Sequence, residues 1–146
     1  MTNRLKRSSE EERLRVLVVD DNSVNRKVAS LHLQKSGCRI ALANDGLEAL
    51  DQWQQDAFDL ILLDCQMPRM DGFEAARKIR ELEHETMKLR RTTIIAMTAS
   101  TMEGDREDCL RAGMDDYIPK PITGNDLQTV LARHFARRFM NATPQS

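Results

Sequence analysis

Five short apolar runs alternate with segments of helical periodicity along the chain. The runs are RVLVVDD from residue 15, CRIALAN from 38, FDLILLDC from 58, TTIIAMTA from 92 and DDYIPK from 115. The first, third and fourth are almost continuously apolar, which is typical of strands buried on both faces of a parallel sheet. Strands that alternate with helices predict an α/β fold, a doubly wound sheet of five strands with helices on both faces.

The segments between the runs predict five helices. In the first, Val24, Val28 and Leu31 follow the i, i+4, i+7 spacing of an amphipathic helix. The other helices are expected to carry Leu47, Leu50 and Trp53 in the second, Phe73 to Leu89 in the third, and residues 103–112 in the fourth. The last begins after Thr123, a predicted N-cap. Gly37 and Gly113 are predicted to end helices.

Length and composition indicate one globular domain. The chain has 146 residues, of which 40% are hydrophobic and 31% charged, with a formal net charge of -1. This charge gives no overall field that attracts nucleic acid, and 4% aromatic residues are too few for base stacking. We expect a charged leader or linker over 1–13, the domain over 14–138 and a flexible tail over 139–146.

The sequence carries no sign of secretion or of a membrane anchor. Apolar runs stay well short of the roughly 18 residues that a transmembrane helix needs, and the N-terminus has no signal-peptide pattern. Cys38, Cys65 and Cys109 lie far apart without a C-x-x-C motif, which favours neither disulfides nor a zinc site. We therefore expect a cytoplasmic domain without membrane contact.

Polar residues stand at the carboxyl ends of four predicted strands. Strand 1 ends in Asp20 and Asp21, strand 3 in Asp64, strand 4 in Thr98 and strand 5 in Lys120. In open α/β sheets, ligands bind outside the carboxyl ends of the strands. A parallel sheet would bring these five side chains to one edge. In contrast, the adjacent Asp115 and Asp116 are expected to be solvated in the loop before strand 5.

Three clustered carboxylates indicate a site for a hard divalent cation, Mg²⁺ or Mn²⁺. The metal would offset the repulsion between Asp20 and Asp21, and one carboxylate could then attack phosphorus to give an aspartyl phosphate. Asp64 is the best candidate because it stands alone at the end of its strand. Lys120 and the Thr98 hydroxyl could bind phosphoryl oxygens.

Four sequence blocks resemble the response-regulator receiver domains of two-component signalling. They are VLVVDDNSVNRKVA, ILLDCQMPRMDGFEAARKIR, IIAMTA and CLRAGMDDYIPKPI, in that order over about residues 14–136. The resemblance implies strand order 2-1-3-4-5, Asp64 as the phosphoacceptor, and a metal held by Asp20, Asp21, Asp64 and the Gln66 carbonyl. It also implies Thr98 and Tyr117 as switch residues, Lys120 as the phosphoryl partner, and a cis Lys120–Pro121 bond.

The same resemblance implies partners and a parent protein. A histidine kinase or histidine phosphotransfer domain would donate the phosphoryl group, and a downstream effector could bind the switched surface. The phrases VDDNSVNRKVA and DCQMPRMDG are most similar to receivers of hybrid sensor histidine kinases. A free-standing response regulator and a non-phosphorylated interaction domain remain alternatives.

The residues argue against three enzyme or cofactor classes. A haloacid-dehalogenase-type phosphatase needs a second acid two positions after its nucleophile, where this chain has Gln66. FMN binding needs a Ser/Thr/Gly-rich phosphate loop after strand 1, but DDNSVN follows here. The phosphate-binding motif G-x-x-x-x-G-K-[ST] does not occur in the sequence. We expect the domain itself to act as a phosphoacceptor with at most slow autophosphatase activity, whether or not its parent chain is a histidine kinase.

Overall fold

The computed structural model describes residues 13–86, 91–99 and 103–142, without the side chains of 103–105 and 137–142. Five strands and five helices alternate in these ranges. The strands are β1 (Arg15–Val19), β2 (Arg39–Ala43), β3 (Leu60–Asp64), β4 (Thr93–Thr98) and β5 (Asp116–Pro119). The helices are α1 (Ser23–Lys35), α2 (Gly46–Gln55), α3 (Gly72–Glu85), α4 (Glu103–Arg111) and α5 (Gly124–Ala142).

The strands form one parallel sheet in the order β2-β1-β3-β4-β5, which confirms the predicted fold class and order. The chain moves outward from β1 to β2, returns to β3 on the other side of β1, and then continues to β5. The direction of winding reverses between β1 and β3, where doubly wound sheets place their binding crevice.

Alternate residues of the central strands pack into two separate apolar layers, one on each face of the sheet. One layer joins the sheet to α2, α3 and α4 through residues such as Leu63, Trp53 and Ile79. The other joins it to α1 and α5 through residues such as Leu62 and Leu131. Because both faces are covered, all five residues of β3 are buried. The helices therefore lie on both faces, as predicted.

Polar caps begin the helices at the carboxyl edge of the sheet. Asn22, Asp45 and Asp71 accept hydrogen bonds from backbone N–H groups of α1, α2 and α3. The predicted cap at Thr123 is confirmed, since its hydroxyl accepts from the Asp126 N–H at 3.1 Å. These caps satisfy backbone N–H groups in the first turns of the helices at this edge.

Glycines end two helices, as predicted. Gly37 and Gly113 have φ of 81° and 99°, in the left-handed region where a side chain is strained. The Lys120–Pro121 bond is cis, which also agrees with the prediction. Cys38, Cys65 and Cys109 are buried, and none of them forms a disulfide among the described residues.

The apolar face predicted for α1 is wrong. Val24 is 65% exposed and Leu31 49% exposed, whereas Ala29 and Leu33 pack against the sheet. The spacing identified a real apolar stripe but not the stripe that the sheet covers. In α2 the expected face is only partly buried, because Trp53 is 1% exposed and Leu47 is 44% exposed.

The expectation that Asp115 and Asp116 are solvated is also wrong. Asp115 Oδ2 accepts from Arg80 Nη2 and from the Ile94 N–H, both at 2.8 Å. These bonds tie α3 and β4 to the loop before β5. Asp116 is bound by two side chains of α5, described below. Both carboxylates therefore stabilise the fold instead of facing water.

Several predicted boundaries fall at or beyond the described ranges. Helix α3 ends at Glu85, and Leu89 lies outside the described residues. Helix α5 continues to Ala142 across a break in its helical geometry at Phe135, past the start of the predicted tail. Residues 1–12 and 143–146 are not described, so the leader and the tail stay predictions.

Candidate functional site

Three carboxylates meet at the carboxyl edge of the sheet. Asp20 and Asp21 follow β1 directly, and Asp64 is the last residue of the adjacent β3. One carboxylate oxygen from each lies within 4.8 Å of the others. Asp20 and Asp64 are buried and Asp21 is exposed. The predicted acidic cluster is therefore present and open to solvent on one side.

Lys120, directly after β5, reaches back into this cluster. Its Nζ lies 2.9 Å from Asp64 Oδ1 and 3.2 Å from Asp20 Oδ2. The Asp20 Oδ2 contact is an ion pair without hydrogen-bond geometry, and no described group donates a hydrogen bond to this buried oxygen. One ammonium thus only partly compensates two buried carboxylates.

Burial and mutual charge perturb the central pair. Burial is the largest effect on Asp64, and together with the Asp20 charge it raises the pKa of Asp64 although Lys120 opposes the shift. Burial alone would lower the pKa of Lys120, but the hydrogen bond and charge of Asp64 and the charge of Asp20 outweigh it and raise that pKa. Lys120 is therefore a permanent cation at neutral pH.

Backbone groups fix the orientation of the two buried carboxylates. Asp20 Oδ1 accepts from the Asn22 N–H at 2.9 Å, and Asp64 Oδ1 accepts from the Gln66 N–H at 3.2 Å. Arg26 Nη1 donates to the Asp20 carbonyl at 2.6 Å. These contacts hold each carboxylate while leaving Asp20 Oδ2 with unused accepting capacity. These hydrogen bonds therefore fix the geometry of the site before a ligand binds.

Thr98 lies at the carboxyl end of β4, and Tyr117 lies on β5 opposite Ala96. Thr98 is buried at the end of β4, one residue past Met97, the register partner of Asp64. Tyr117 is half-buried and packs against the core layer below α4. The Arg106 guanidinium of α4 lies 5.6 Å from the centre of the Tyr117 ring, within cation–π range.

A polar cleft adjoins Tyr117 between α4, β5 and α5. It has a volume of about 340 Å³ and is lined by Arg106, Tyr117, Arg133 and neighbouring residues. Arg133 and His134 of α5 both pair with Asp116 Oδ2 at the start of β5. Tyr117 therefore lines a cleft that also carries the charged side chains of Arg106 and Arg133.

The residues at the edge fit a hard divalent cation. Carboxylate and carbonyl oxygens are the ligands that Mg²⁺ and Mn²⁺ prefer, and Asp20 Oδ2 is a buried acceptor that lacks a hydrogen-bond donor among the described groups. The Gln66 carbonyl belongs to the turn that follows Asp64. Sequence reasoning identified all of these residues but missed Arg26, which contacts the nearby Asp20 carbonyl, and the pair of Arg69 and Asp45, whose contact joins two loops that are distant in sequence.

The comparison with family models decides the assignment of this fold and site. The model of the response regulator receiver domain matches residues 16–132. The chain belongs to the response regulator receiver domain family. Asp20, Asp21, Asp64 and Lys120 all lie within the matched residues.

Curated relatives include large histidine kinases. Hybrid signal transduction histidine kinase B of Dictyostelium discoideum is 42% identical over 120 residues, which cover 77% of this chain and 6% of that protein. The signal transduction histidine-protein kinase BarA of Shigella flexneri is 41% identical over 119 residues, covering 82% of this chain and 12% of that protein. The chain thus spans a small part of the relatives it matches.

Solved receiver structures are similar along most of this chain. The receiver domain of the sensor histidine kinase PA1611 from Pseudomonas aeruginosa PAO1, with a magnesium ion in its active site cleft, has a TM-score of 0.75 at 40% identity and covers 85% of this chain and 98% of its own. A chain from the complex of the Saccharomyces cerevisiae histidine phosphotransfer protein Ypd1 with the Ssk1 receiver domain has a TM-score of 0.79 at 30% identity, covering 86% and 91%.

Among the described residues, no helix combines the length and apolar character that crossing a bilayer requires.

Proposed function

We propose that this receiver domain accepts a phosphoryl group on Asp64 from a phosphohistidine of a partner protein. The observation that carries the proposal is the contact of Lys120 Nζ with Asp64 Oδ1 at 2.9 Å beside two further carboxylates. A carboxylate next to a fixed cation and a cation-binding cluster is equipped to attack phosphorus, because phosphoryl transfer depends mainly on positioning and charge neutralisation.

The transfer exchanges one bond to phosphorus for another. An Asp64 carboxylate oxygen forms a P–O bond while the P–N bond of the phosphohistidine breaks. The imidazole nitrogen keeps the electron pair and is protonated by solvent. Lys120 then pairs with a phosphoryl oxygen, and the Thr98 hydroxyl donates to another. Among the described side chains, no His or Glu stands at the strand ends to activate water, so we expect the acyl phosphate to persist.

The metal ligands in this proposal are Asp20, Asp21, Asp64 and the Gln66 carbonyl. When bound, Mg²⁺ or Mn²⁺ supplies positive charge to the phosphoryl oxygens during transfer. The magnesium ion in the PA1611 receiver and the buried acceptor Asp20 Oδ2 support this assignment. Without the cation, the three carboxylates would repel the incoming phosphoryl group.

Phosphorylation is proposed to change the surface beside Tyr117. The new charge on Asp64 attracts the Thr98 hydroxyl, and Tyr117 moves toward the space that Thr98 leaves. The surface formed by α4, β5 and α5 then adopts a second arrangement that an effector protein can recognise. The half-buried position of Tyr117 supports this role, since the ring lies at the boundary between core and surface.

The phosphodonor is proposed to be a histidine kinase or a histidine phosphotransfer domain in a cytoplasmic phosphorelay. Relatives such as hybrid histidine kinase B favour a receiver that belongs to a hybrid sensor histidine kinase, with the domain over 14–138. A free-standing response regulator is the alternative. Neither direct nucleic-acid binding nor membrane contact is part of this proposal.

Intact-protein mass spectrometry after incubation with acetyl phosphate tests the proposal. Wild type and Asp64→Asn are compared with Mg²⁺ and with EDTA. We expect one phosphoryl adduct in wild type with Mg²⁺ and none in the other samples. Absence of an adduct from wild type at every Mg²⁺ concentration would instead favour a receiver that acts only as a protein-interaction domain.

A further inference from the structure

The loop between Asp64 and α3 contains a strained turn. Arg69 has a φ of 67°, and the Met70 N–H donates to the Pro68 carbonyl at 2.8 Å. This is a three-residue turn whose central residue has positive φ, an arrangement that is rare and strained for a residue with a side chain. Glycine would relieve the strain, so the presence of arginine requires a compensating contact.

The compensating contact is an ion pair with Asp45. Arg69 Nε donates to Asp45 Oδ2 at 2.9 Å, and Arg69 Nη2 contacts the same oxygen. Asp45 is 5% exposed and its other oxygen accepts from the Glu48 N–H at 2.9 Å, which caps α2. The bond from Glu48 and, against the effect of burial, the Arg69 guanidinium keep the pKa of Asp45 below its usual value.

The loop that carries Asp45 touches both sides of the acidic cluster. On one side the Ala43 carbonyl, at the end of β2, accepts from the Asp20 N–H at 3.2 Å. On the other side the Gly46 N–H donates to the Met70 carbonyl at 3.3 Å. A Cβ at Gly46 would lie 2.7 Å from that carbonyl oxygen, so the two loops are in close contact.

The loop after Asp64 is therefore held at three points. Gly72 N–H bonds to the Cys65 carbonyl at its end, Gly46 holds Met70, and Asp45 holds Arg69. Gln66, whose carbonyl is assigned to the metal, lies inside this loop. Of the three attachments, the Asp45–Arg69 pair alone depends on two charged side chains.

We propose that Arg69 and Asp45 form a positioning pair for the Asp64 site. Their ion pair holds the strained turn and thereby keeps the Gln66 carbonyl and the Asp64 turn in the arrangement that accepts the divalent cation. The inference rests on the proposed function and adds two residues that do not touch the metal or the phosphoryl group. Contacts that orient metal ligands from behind commonly change metal affinity by about 10–100-fold when they are removed.

A long-range charge effect and a loss of positioning predict opposite results for Arg69→Ala but the same result for Asp45→Asn. Arg69→Ala removes a positive charge near the site, so a long-range field alone would strengthen Mg²⁺ binding. Asp45→Asn removes a negative charge, so a field alone would weaken it. Loss of positioning weakens binding in both variants. Asparagine is a good N-cap, so Asp45→Asn retains the start of α2.

Isothermal titration calorimetry of the metal-free chain with MgCl₂ tests the pair without any phosphorylation step. We expect the Mg²⁺ dissociation constant to rise about tenfold in both Arg69→Ala and Asp45→Asn, and the double variant to bind no more weakly than either single variant. Arg69→Lys, which keeps the charge with fewer donors, should retain part of the affinity. If Arg69→Ala fails to fold, Arg69→Met, which keeps a side chain of similar length without its charge or donors, should show the same loss.

Asp56→Asn is the matched control. It removes the ion pair of Asp56 Oδ2 with Arg15 Nη2, 2.6 Å long, at the opposite edge of the sheet, and should leave the Mg²⁺ dissociation constant unchanged. Tighter binding by Arg69→Ala, or wild-type affinity in both Arg69→Ala and Asp45→Asn, would overturn the positioning role alone. Failure of wild type to bind Mg²⁺ would overturn the proposed metal site and this inference together.

Discussion

The Lys120 ammonium lies 2.9 Å from an Asp64 carboxylate oxygen, although β3, which ends at Asp64, and β5, which Lys120 directly follows, are not neighbours in the sheet. The lysine reaches past β4 and also contacts Asp20, so three strand ends meet through one side chain. One lysine faces two buried carboxylates, so the buried part of the site carries a net negative charge. This arrangement explains how two adjacent carboxylates can follow the apolar run of β1: a lysine lies opposite Asp20, and the proposed cation would add further positive charge.

Asp64→Asn is predicted to stabilise the metal-free fold at neutral pH. A carboxyl whose pKa is raised in the folded state opposes folding at pH values above that pKa, and burial with the Asp20 charge raises the pKa of Asp64. Removing the charge leaves Lys120 paired with Asp20. We expect the free energy of unfolding at pH 7 in EDTA to increase by about 1 kcal/mol.

Urea unfolding at several pH values checks this result. The advantage of Asp64→Asn over wild type should shrink as the pH is lowered and Asp64 of the wild type takes up a proton. Asp21→Asn, at an exposed position, serves as a control and should change stability less. A loss of stability in Asp64→Asn at pH 7 would mean that the Lys120 contact outweighs the repulsion.

Gly72→Ala is predicted to disrupt both the fold and the site. A Cβ at Gly72 would lie 2.3 Å from the Asp64 carbonyl oxygen. Because this oxygen belongs to the backbone, it can move away only if the chain around Asp64 is displaced. We expect a loss of about 2–3 kcal/mol in the free energy of unfolding together with weaker Mg²⁺ binding. Gly37→Ala is the control, since its φ is positive but its added Cβ has no atom within 4 Å; it should cost about 1 kcal/mol and leave Mg²⁺ binding unchanged.

Trp53→Phe is predicted to lower stability without affecting phosphorylation. The indole N–H donates to Thr92 Oγ1 at 3.0 Å, next to the first residue of β4 and therefore at the edge opposite the acidic cluster. The loss of a buried hydrogen bond and of packing should cost about 1–3 kcal/mol. Because Trp53 lies at the edge opposite the acidic cluster, Mg²⁺ should leave its fluorescence unchanged. Strong quenching by Mg²⁺ would contradict this placement.

Asp116→Asn is predicted to weaken the link between β5 and α5. Burial would raise the pKa of Asp116, but hydrogen bonds from His134, the Tyr117 N–H and Arg133 outweigh it and lower that pKa. A carboxyl with a lowered pKa stabilises the fold above its unfolded pKa of 3.8, and this contribution is lost as the pH falls through the folded value.

The free energy of unfolding of Asp116→Asn and wild type should therefore be compared at pH 5 and at pH 3. Wild type should be more stable at pH 5 by about 1 kcal/mol, and the difference should be smaller at pH 3. An equal difference at both pH values would show that the charge of Asp116 is not what stabilises the contact.

The sequence was sufficient for the sheet and for the acidic site because both depend on local patterns. Buried parallel strands are nearly continuous apolar runs, and the polar residues that end them, Asp20, Asp64 and Lys120, must then meet at one edge. The predicted strand ends agree with the structure, which brings all three together. The roles of these residues in phosphorylation rest on the resemblance and on the proposal.

The errors concern contacts that periodicity cannot reveal. Val24 and Leu31 form a regular stripe on α1, but whether the sheet covers a stripe depends on the neighbouring helices, and here the sheet packs on Ala29 and Leu33. The prediction that Asp115 faces water is wrong because local patterns do not reveal its partner Arg80, which is 35 residues away. The contact between Arg69 and Asp45 was missed for the same reason, since it joins two loops across 24 residues.

Direct location of the phosphoryl group tests the central claim most sharply. Wild-type chain treated with acetyl phosphate and Mg²⁺ is reduced with borohydride, which converts an aspartyl phosphate into homoserine, and its peptides are sequenced by tandem mass spectrometry. The account predicts homoserine at position 64 and at no other aspartate. Homoserine at Asp20 or Asp21 with an unmodified Asp64 would contradict it.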